Sequence, residues 1–268
     1  MFGLLPILFG QVALDMPTPV QADIVWMTEG EFCETETVLP LPDGSLLVSN
    51  VCGFSDMGTG YLSLLESEGD VIDWRVVDGL DSPLGMVIRD GLIYVVDNNR
   101  VKTFRWPGFS SVSTIVLDTA VANDLAVGPD DSIYVTDTAR GEVVVVSPDL
   151  AQNVFIENAR FPGANGIHID GDSLYVGGSR LWHVDLNDLA VTTRGPEWLA
   201  DIDGIEQEGD GTLQVTPVGG PLIRLGDVIQ VLGGDGISSA NHGYSESLGM
   251  ALIPTGFDNQ VIAIRLER

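Results

Sequence analysis

The sequence predicts an all-β fold built from six similar units. Helical periodicity is nearly absent, and short runs of β-branched and aromatic residues recur along the chain. A turn precedes each of six such runs, as Asp43-Gly44 precedes Leu46–Asn50 and Asp90-Gly91 precedes Leu92–Asp97. Five of these turns are rich in Gly and Asp, and the sixth is weaker. Further short apolar runs on either side of each pair bring every unit to four strands.

The length of the repeat identifies the architecture. The residues that open the innermost strand of each unit are Glu36, Leu84, Asn123, Asn165, Asp203 and Asn241. Their successive spacings are 48, 39, 42, 38 and 38 residues. A period near 40 residues with four strands per repeat is typical of a β-propeller, whose blades surround a central channel. We therefore predict a six-bladed β-propeller of four-stranded blades over residues 23–268.

The two ends of the chain are predicted to close the ring together. The sixth unit ends with Asn259–Leu266 and leaves no residues for an outer strand. Asp23–Met27 has the composition of a strand and can supply the missing one. Such closure leaves no open sheet edge between the first and last blades.

Residues 1–22 are predicted to be a signal peptide. Met1–Leu14 is almost wholly apolar but too short to span a bilayer as a helix. Val20 and Ala22 occupy the −3 and −1 positions of a cleavage site before Asp23. Since a charged leader is missing, a buried N-terminal strand is the alternative. The prediction is a periplasmic or secreted protein with no membrane segment after cleavage.

The chain contains two cysteines, Cys33 and Cys52. Two cysteines are too few for a disulfide-framed small fold or for a four-cysteine zinc site. Folding the first unit about Asp43-Gly44 brings them within reach of each other, so an exported protein could carry one disulfide here.

The charge balance excludes some classes of partner. The chain has 12 basic and 39 acidic residues, with a net charge of −27, and Lys102 is the only lysine. Such a surface repels phosphate backbones, which argues against nucleic acids and anionic membranes as partners. It attracts cations and suits a salty or extracellular setting, and it leaves the oligomeric state open.

Four of the six opening residues carry side-chain oxygen atoms. In a propeller the innermost strands all start near one mouth of the channel, so Glu36, Asn123, Asn165 and Asp203 are expected to converge there. Two carboxylates and two amides suit calcium, which binds six to eight oxygen ligands, whereas zinc prefers His or Cys. The alternative is a solvated polar channel lining, because Asn-Gly and Asp-Gly pairs are also common turn sequences.

The motifs at these positions resemble one known family. They include Glu36-Thr37-Val38, Asn123–Val127, Asn165-Gly166-Ile167 and Asp203-Gly204-Ile205. The chain resembles the SMP-30/gluconolactonase/LRE-like (regucalcin-like) propellers over residues 23–268. These are related to calcium-dependent phosphotriesterases and paraoxonase-type lactonases. The resemblance implies calcium bound by Glu36, Asn123, Asn165 and Asp203, hydrolysis of a lactone or ester, and Asp203 as candidate general base.

Some positions depart from the sugar-lactone hydrolases of that family. Those enzymes carry an arginine where this chain has Val121, and the chain has Leu84 at the second-blade position. We therefore expect a less polar mouth and a more apolar lactone or ester. His242 is a second catalytic candidate because it adjoins Asn241, and related hydrolases sometimes use a histidine near the metal. We expect His168 and His183 to be packed or hydrogen-bonded.

A different class of function is also compatible with the sequence. An exported propeller could be a binding or scaffold protein whose calcium only holds the blades together. The fold alone does not decide between the two, because propellers host both catalytic and non-catalytic proteins.

Overall fold

The structure, a computed structural model, describes residues 17–30, 32–54, 56–156, 160–233, 238–256 and 258–266. Within these ranges the regular elements are all strands, which confirms the all-β prediction. In the described chain no helix is long and apolar enough to cross a membrane. Residues 1–16 of the predicted signal peptide lie outside the described residues.

Twenty-five strands make up the described fold. In chain order they are β1 (Val20–Gln21), β2 (Asp23–Met27), β3 (Thr35–Pro40), β4 (Leu46–Asn50), β5 (Gly60–Leu65), β6 (Val71–Leu80), β7 (Pro83–Arg89), β8 (Leu92–Asp97), β9 (Arg100–Arg105), β10 (Ser110–Val116), β11 (Ala122–Val127), β12 (Ile133–Asp137), β13 (Glu142–Val146), β14 (Gln152–Val154), β15 (Ile167–Asp170), β16 (Ser173–Val176), β17 (Leu181–Asp185), β18 (Val191–Arg194), β19 (Ile202–Gln207), β20 (Leu213–Pro217), β21 (Leu222–Leu225), β22 (Ile229–Gly233), β23 (Gly243–Ser245), β24 (Met250–Thr255) and β25 (Gln260–Arg265).

These strands form the six predicted blades. Blades one to five are the successive antiparallel sheets β3–β6, β7–β10, β11–β14, β15–β18 and β19–β22, and blade six has the order β23-β24-β25-β2. The first strand of each blade contacts the first strand of the next, and β23 contacts β3. The ring is therefore closed around the six first strands, and the predicted six-bladed β-propeller is confirmed.

The N-terminal strand completes the last blade, as the sequence predicts. Strand β2 pairs antiparallel with β25, from Asp23 opposite Arg265 to Met27 opposite Ile262. Trp26 of β2 also donates a hydrogen bond from Nε1 to the carbonyl oxygen of Ser67 in blade one, over 3.0 Å. This strand therefore joins the last blade to the first.

A shorter N-terminal contact was not expected as part of the propeller. Val20-Gln21 pairs in parallel with β22 and adds a fifth strand to blade five. The backbone N–H of Ala22 extends this contact to the carbonyl oxygen of Gly233, over 2.9 Å. These residues lie in the segment that the sequence assigns to the signal peptide.

The core consists of apolar layers between neighbouring blades. One layer packs Val96 and Val101 of blade two against Leu125 and Val135 of blade three. Other buried clusters fill the remaining interfaces around the ring. Each apolar layer is buried only when both of its blades are in place. Ring closure therefore lets blade one and blade six bury their apolar faces against each other.

A disulfide braces the start of blade one. Cys33 and Cys52 are bonded, with their Cα atoms 5.0 Å apart, which confirms the predicted pairing. The Cys33 N–H donates to Oδ1 of Asn50 over 3.2 Å, and the Cys52 N–H donates to the Cys33 carbonyl over 3.3 Å. The backbone just before Glu36 is thereby fixed to the end of β4 and to the residues that follow it.

A chain that begins at Gly30 should be several kcal/mol less stable than a chain that begins at Asp23, because it leaves β25 unpaired and removes Trp26 from blade one. Urea unfolding of the two proteins measures the difference. A chain that begins at Pro17 is the matched control and should unfold close to the Asp23 chain, since β1 adds only a two-residue pair. Equal midpoints for the Gly30 and Asp23 chains would refute the structural role of β2.

Candidate functional site in the central channel

Four of the innermost strands begin with a β-bulge. The register shifts lie between Thr35 and Val38, Pro83 and Met86, Ala122 and Leu125, and Ile202 and Gly204. Three of the predicted site residues, Glu36, Asn123 and Asp203, fall inside these bulges. A bulge interrupts the alternation of side chains and re-aims the extra residue, and bulges are common beside active sites.

Side-chain hydroxyls hold the bulges in place. The N–H groups of Thr37, Asp124 and Gly204 donate to Oγ of Ser49 (2.9 Å), Oγ1 of Thr136 (3.0 Å) and Oγ1 of Thr216 (3.2 Å). Each of these hydroxyls sits on the second strand of its own blade. Two of them also donate to the next blade, Thr136 to the carbonyl of Asn165 and Thr216 to the carbonyl of Ala240. The same side chains therefore shape the bulges and connect the blades.

The structure brings Glu36, Asn165 and Asp203 together. Asn165 donates a side-chain hydrogen bond to the Asp203 carboxylate, and the charge of Glu36 acts on the same carboxylate. Glu36 and Asp203 also line one pocket at the mouth. Asn123 lies half-buried in the bulge of β11. None of the described contacts joins its side chain to the other three residues.

Two oxygen atoms at this mouth have no donor. Asp203 is only 4% exposed, and its Oδ1 and the Oδ1 of Asn165 are both buried without a hydrogen-bond partner in the described part of the chain. Buried polar atoms are normally satisfied, because leaving them unpaired is costly. Buried oxygen atoms without donors fit a hard cation such as calcium.

Burial and mutual repulsion act on the two carboxylates. Burial raises the pKa of Asp203 well above its usual range, and the charges of Glu36 and Asp124 raise it further. Burial also raises the pKa of Glu36 to about 7, against the opposing hydrogen bond from Thr37 Oγ1 to its Oε2. The described residues hold no group of three or more His, Cys, Asp or Glu side chains suited to a metal. A cation here would therefore depend on the asparagine oxygens as well as the carboxylates.

Asp124 is a site residue that the sequence analysis missed. It is 5% exposed, and its carboxylate accepts the N–H of Leu125 over 2.8 Å and of Ile167 in blade four over 3.0 Å. Asn241 donates to it from blade six, and burial raises its pKa to about 7. Gly85 in blade two makes room, because a Cβ there would overlap the carboxylate. The sequence did contain a signal for this residue, because Asp124 is an acid next to the apolar residues Leu-Ala-Val of an inner strand.

The channel continues below the mouth as a cavity of about 300 Å³. Its polar lining includes Thr37, Asp124, His168, Glu206, Asn241 and His242, together with Arg89 and Tyr244. Nδ1 of His168 lies 3.7 Å from Oε2 of Glu206. Burial lowers the pKa of His168, and burial together with the charge of Asp124 raises the pKa of Glu206 to about 8. The pair is therefore mostly neutral near pH 7.

His242 is among the residues that line this cavity. It is 1% exposed, and its Nδ1 lies 3.0 Å from Oγ1 of Thr216. Because the Thr216 hydroxyl donates to the Ala240 carbonyl, the network assigns the ring proton to Nδ1 of His242. Nε2 is buried without a partner in the described residues. Burial, with a smaller contribution from His168, lowers the pKa of His242 to about 3, so the ring is a neutral acceptor.

The third histidine plays a local part in blade four. His183 Nε2 lies 3.0 Å from Oγ of Ser173, and its ring packs against Tyr175 at 5.1 Å between centroids. This agrees with the hydrogen-bonded, packed role expected from the sequence.

The apolar side of the mouth is not where the sequence analysis put it. Leu84 is 5% exposed and packs, with Ala122, in the layer between blades two and three. Val121 is exposed, whereas Leu84 and Ala122 are buried. The inner strand turns Leu84 towards the neighbouring blade, so it does not line the opening. The exposed apolar surface comes instead from Phe54 and Val218, which line the pocket beside Glu36 and Asp203 together with the buried Val51.

Comparisons with known proteins bear on the fold. No protein-family model matches the sequence, and no curated protein matches it. A gluconolactonase from Xanthomonas campestris is 16% identical with a TM-score of 0.68, covering 92% of this chain and 88% of that one. Virginiamycin B lyase from Staphylococcus aureus, solved with quinupristin, is 12% identical with a TM-score of 0.61, covering 90% and 99%. A streptogramin B lyase is 12% identical with a TM-score of 0.62, covering 91% and 88%.

At these identities the likeness establishes a shared propeller fold. Gluconolactonases and lyases both have structures of this kind, so the fold is common to different chemistries. The function of this chain has to be argued from its own channel.

Glu206→Gln should stabilise the calcium-free protein at pH 8 and have little effect at pH 4.5. Because the folded-state pKa of Glu206 is raised from 4.5 to about 8, the folded protein keeps a proton that the unfolded chain releases. The free energy of unfolding of the parent protein therefore falls as pH rises between these two values, by about 1.4 kcal/mol for each pH unit. Chemical unfolding at both pH values tests this, with exposed Glu66→Gln as control. An equal effect of Glu206→Gln at both pH values would contradict it.

Proposed function

We propose that this chain is a calcium-dependent hydrolase of lactones or esters, of the SMP-30/gluconolactonase-like type, acting at the mouth of the channel. The observation that carries the proposal is the pair of buried, unpartnered oxygens on Asp203 and Asn165, beside the Glu36 carboxylate. The likeness of the fold to gluconolactonases agrees with it.

Glu36, Asn123, Asn165 and Asp203 would bind the cation. Glu36 and Asp203 would each contribute a carboxylate. Asn123 and Asn165 would each contribute an amide oxygen, so the four ligands would come from four different blades. Bound calcium would act as a Lewis acid on the substrate carbonyl and stabilise the oxyanion. Because calcium tolerates irregular geometry and several oxygen ligands, the half-buried Asn123 could complete the set.

Asp203 would act as the general base. Its Oδ1 accepts no hydrogen bond from the described residues, so this oxygen would be available to take a proton from water. The amide of Asn165 donates to the same carboxylate and would hold it in position. Asp203 would take a proton from the attacking water and later return it to the leaving oxygen.

His242 is the second proposed catalytic residue. Its neutral ring is fixed through Nδ1 by Thr216, which leaves Nε2 as an acceptor in the channel. It would accept a hydrogen bond from water and orient that water below the mouth. His242→Ala should then lower the hydrolysis rate less than Asp203→Asn does. The reason is that His242 would act as a neutral hydrogen-bond acceptor, whereas Asp203 would bind the cation and act as base.

Export is part of the same proposal. The disulfide between Cys33 and Cys52 supports an oxidising compartment, and the apolar N-terminal segment supports passage through a membrane. We propose a periplasmic or secreted protein whose partner is a small lactone or ester. The acidic surface disfavours nucleic acid.

Glu36→Gln and Asp203→Asn should each lower the hydrolysis of γ-lactones or aryl esters by at least about 100-fold, since each removes part of the charge that would bind the cation and Asp203 also serves as base. Initial rates with calcium, and with a chelator, measure the effect. Asp130→Asn is the control, because Asp130 is an exposed turn acid whose hydrogen bonds within the described residues come from Ser132.

Full activity in Asp203→Asn, or equal rates with calcium and with chelator, would contradict the proposal. Calcium binding without hydrolysis of any substrate in the panel would favour the non-catalytic binding or scaffold protein.

A further inference from the structure

An apolar pocket opens beside the two mouth carboxylates. It has a volume of about 160 Å³, and its apolar wall is formed by Val51, Phe54, Val218 and Ala240, with Glu36 and Asp203 at the same pocket. Asp203 lines this pocket, is 4% exposed, and keeps one buried oxygen atom without a hydrogen-bond partner in the described residues. The pocket is therefore continuous with the polar atoms that the proposed function uses.

Two of the wall residues lie outside the buried apolar layers. Phe54, between β4 and β5, is 68% exposed, and Val218, between β20 and β21, is 53% exposed. Neither belongs to the apolar layers between the blades. They come from blades one and five and flank blade six. Exposed apolar side chains that gather at a polar opening mark a binding surface more often than a structural one.

Besides the carboxylates of Glu34, Glu36 and Asp203, the polar side chains that line the pocket are two hydroxyl groups. The Thr35 hydroxyl donates to the Gln260 carbonyl over 3.1 Å. The Ser239 hydroxyl lies 2.9 Å from the carbonyl oxygen of Pro217 and 2.8 Å from that of Gly220. Both hydroxyl groups that line the pocket are thus already engaged with the backbone. What remains is an apolar wall next to carboxylates.

We propose that Phe54, Val51 and Val218 form a specificity subsite for a short alkyl chain carried by the lactone or ester. It holds about five groups of water size at ~30 Å³ each, which corresponds to a chain of about four to six carbons. The inference rests on the proposed function for what happens to the bound molecule. The subsite itself is a binding property and can be measured without turnover.

The test uses lactams in place of lactones. A series of γ-alkyl pyrrolidinones, from methyl to octyl, resembles alkyl lactones but resists hydrolysis. Calorimetric titration of the calcium-loaded protein should show Kd falling about fourfold per added methylene, because each methylene is transferred from water to the pocket. The gain should stop near six carbons, where the pocket is full.

The double variant Phe54→Ser with Val218→Ser should remove this dependence on chain length. Both side chains are exposed, so the melting temperature should stay close to that of the parent protein. Val116→Ser is the matched control, because Val116 is 68% exposed on β10, at the outer edge of blade two, and should leave the series unchanged. With alkyl lactones as substrates, the double variant should raise KM for the hexyl compound and leave kcat unchanged.

Three results separate this inference from the proposed function. Affinity that is independent of chain length overturns the subsite, even if lactones are hydrolysed. A chain-length dependence that survives the double substitution overturns the assignment to Phe54 and Val218. Chain-length-dependent binding that the double substitution removes, with no hydrolysis of any lactone or ester, supports the subsite and refutes the hydrolase.

Discussion

The buried carboxylate of Asp203 constrains the whole channel. It lies at the start of β19 with one oxygen unpartnered, and the charges of Glu36 and Asp124 act on it from two other blades. Acids held together in a buried site repel one another unless a proton or a cation intervenes. The arrangement persists because the surrounding backbone is held rigidly: bulges aim the side chains, and hydroxyls such as Thr216 Oγ1 fasten the bulges to the next blade.

The channel fits together because large polar side chains meet glycines across the blade boundaries. Gly85 faces the carboxylate of Asp124, and Gly204 faces the ring of His242, where a Cβ would come 2.5 Å from Nδ1. Replacing either glycine by alanine would push a site residue out of place. The mouth and the cavity beneath it are thus one structure, in which Asp124 links blades three, four and six through Ile167 and Asn241.

The sequence was sufficient for the architecture, and it named three candidate residues that the structure brings together. The period of about 40 residues defined the blades, and the missing outer strand identified Asp23–Met27 as the closing element. Glu36, Asn165 and Asp203 were found because they occupy equivalent repeat positions. Asp124 and Glu206 were missed, since they lie one and three residues beyond those positions and only the bulges decide which residues face the channel.

Other features depend on contacts that no repeat encodes. The expectation for Leu84 was wrong because its strand packs it between two blades. Phe54 and Val218 reach the mouth from loops in different blades, so their proximity to Asp203 follows from tertiary structure alone.

Calcium binding to the chelator-treated protein is the most direct test of this account. The account predicts binding of one calcium ion per chain at the mouth and a clear rise in melting temperature, because a ligand that binds only the folded state stabilises it by mass action. Magnesium should stabilise less, since it demands stricter octahedral geometry than these side chains offer. A melting temperature that calcium leaves unchanged, with no heat of binding, would contradict it.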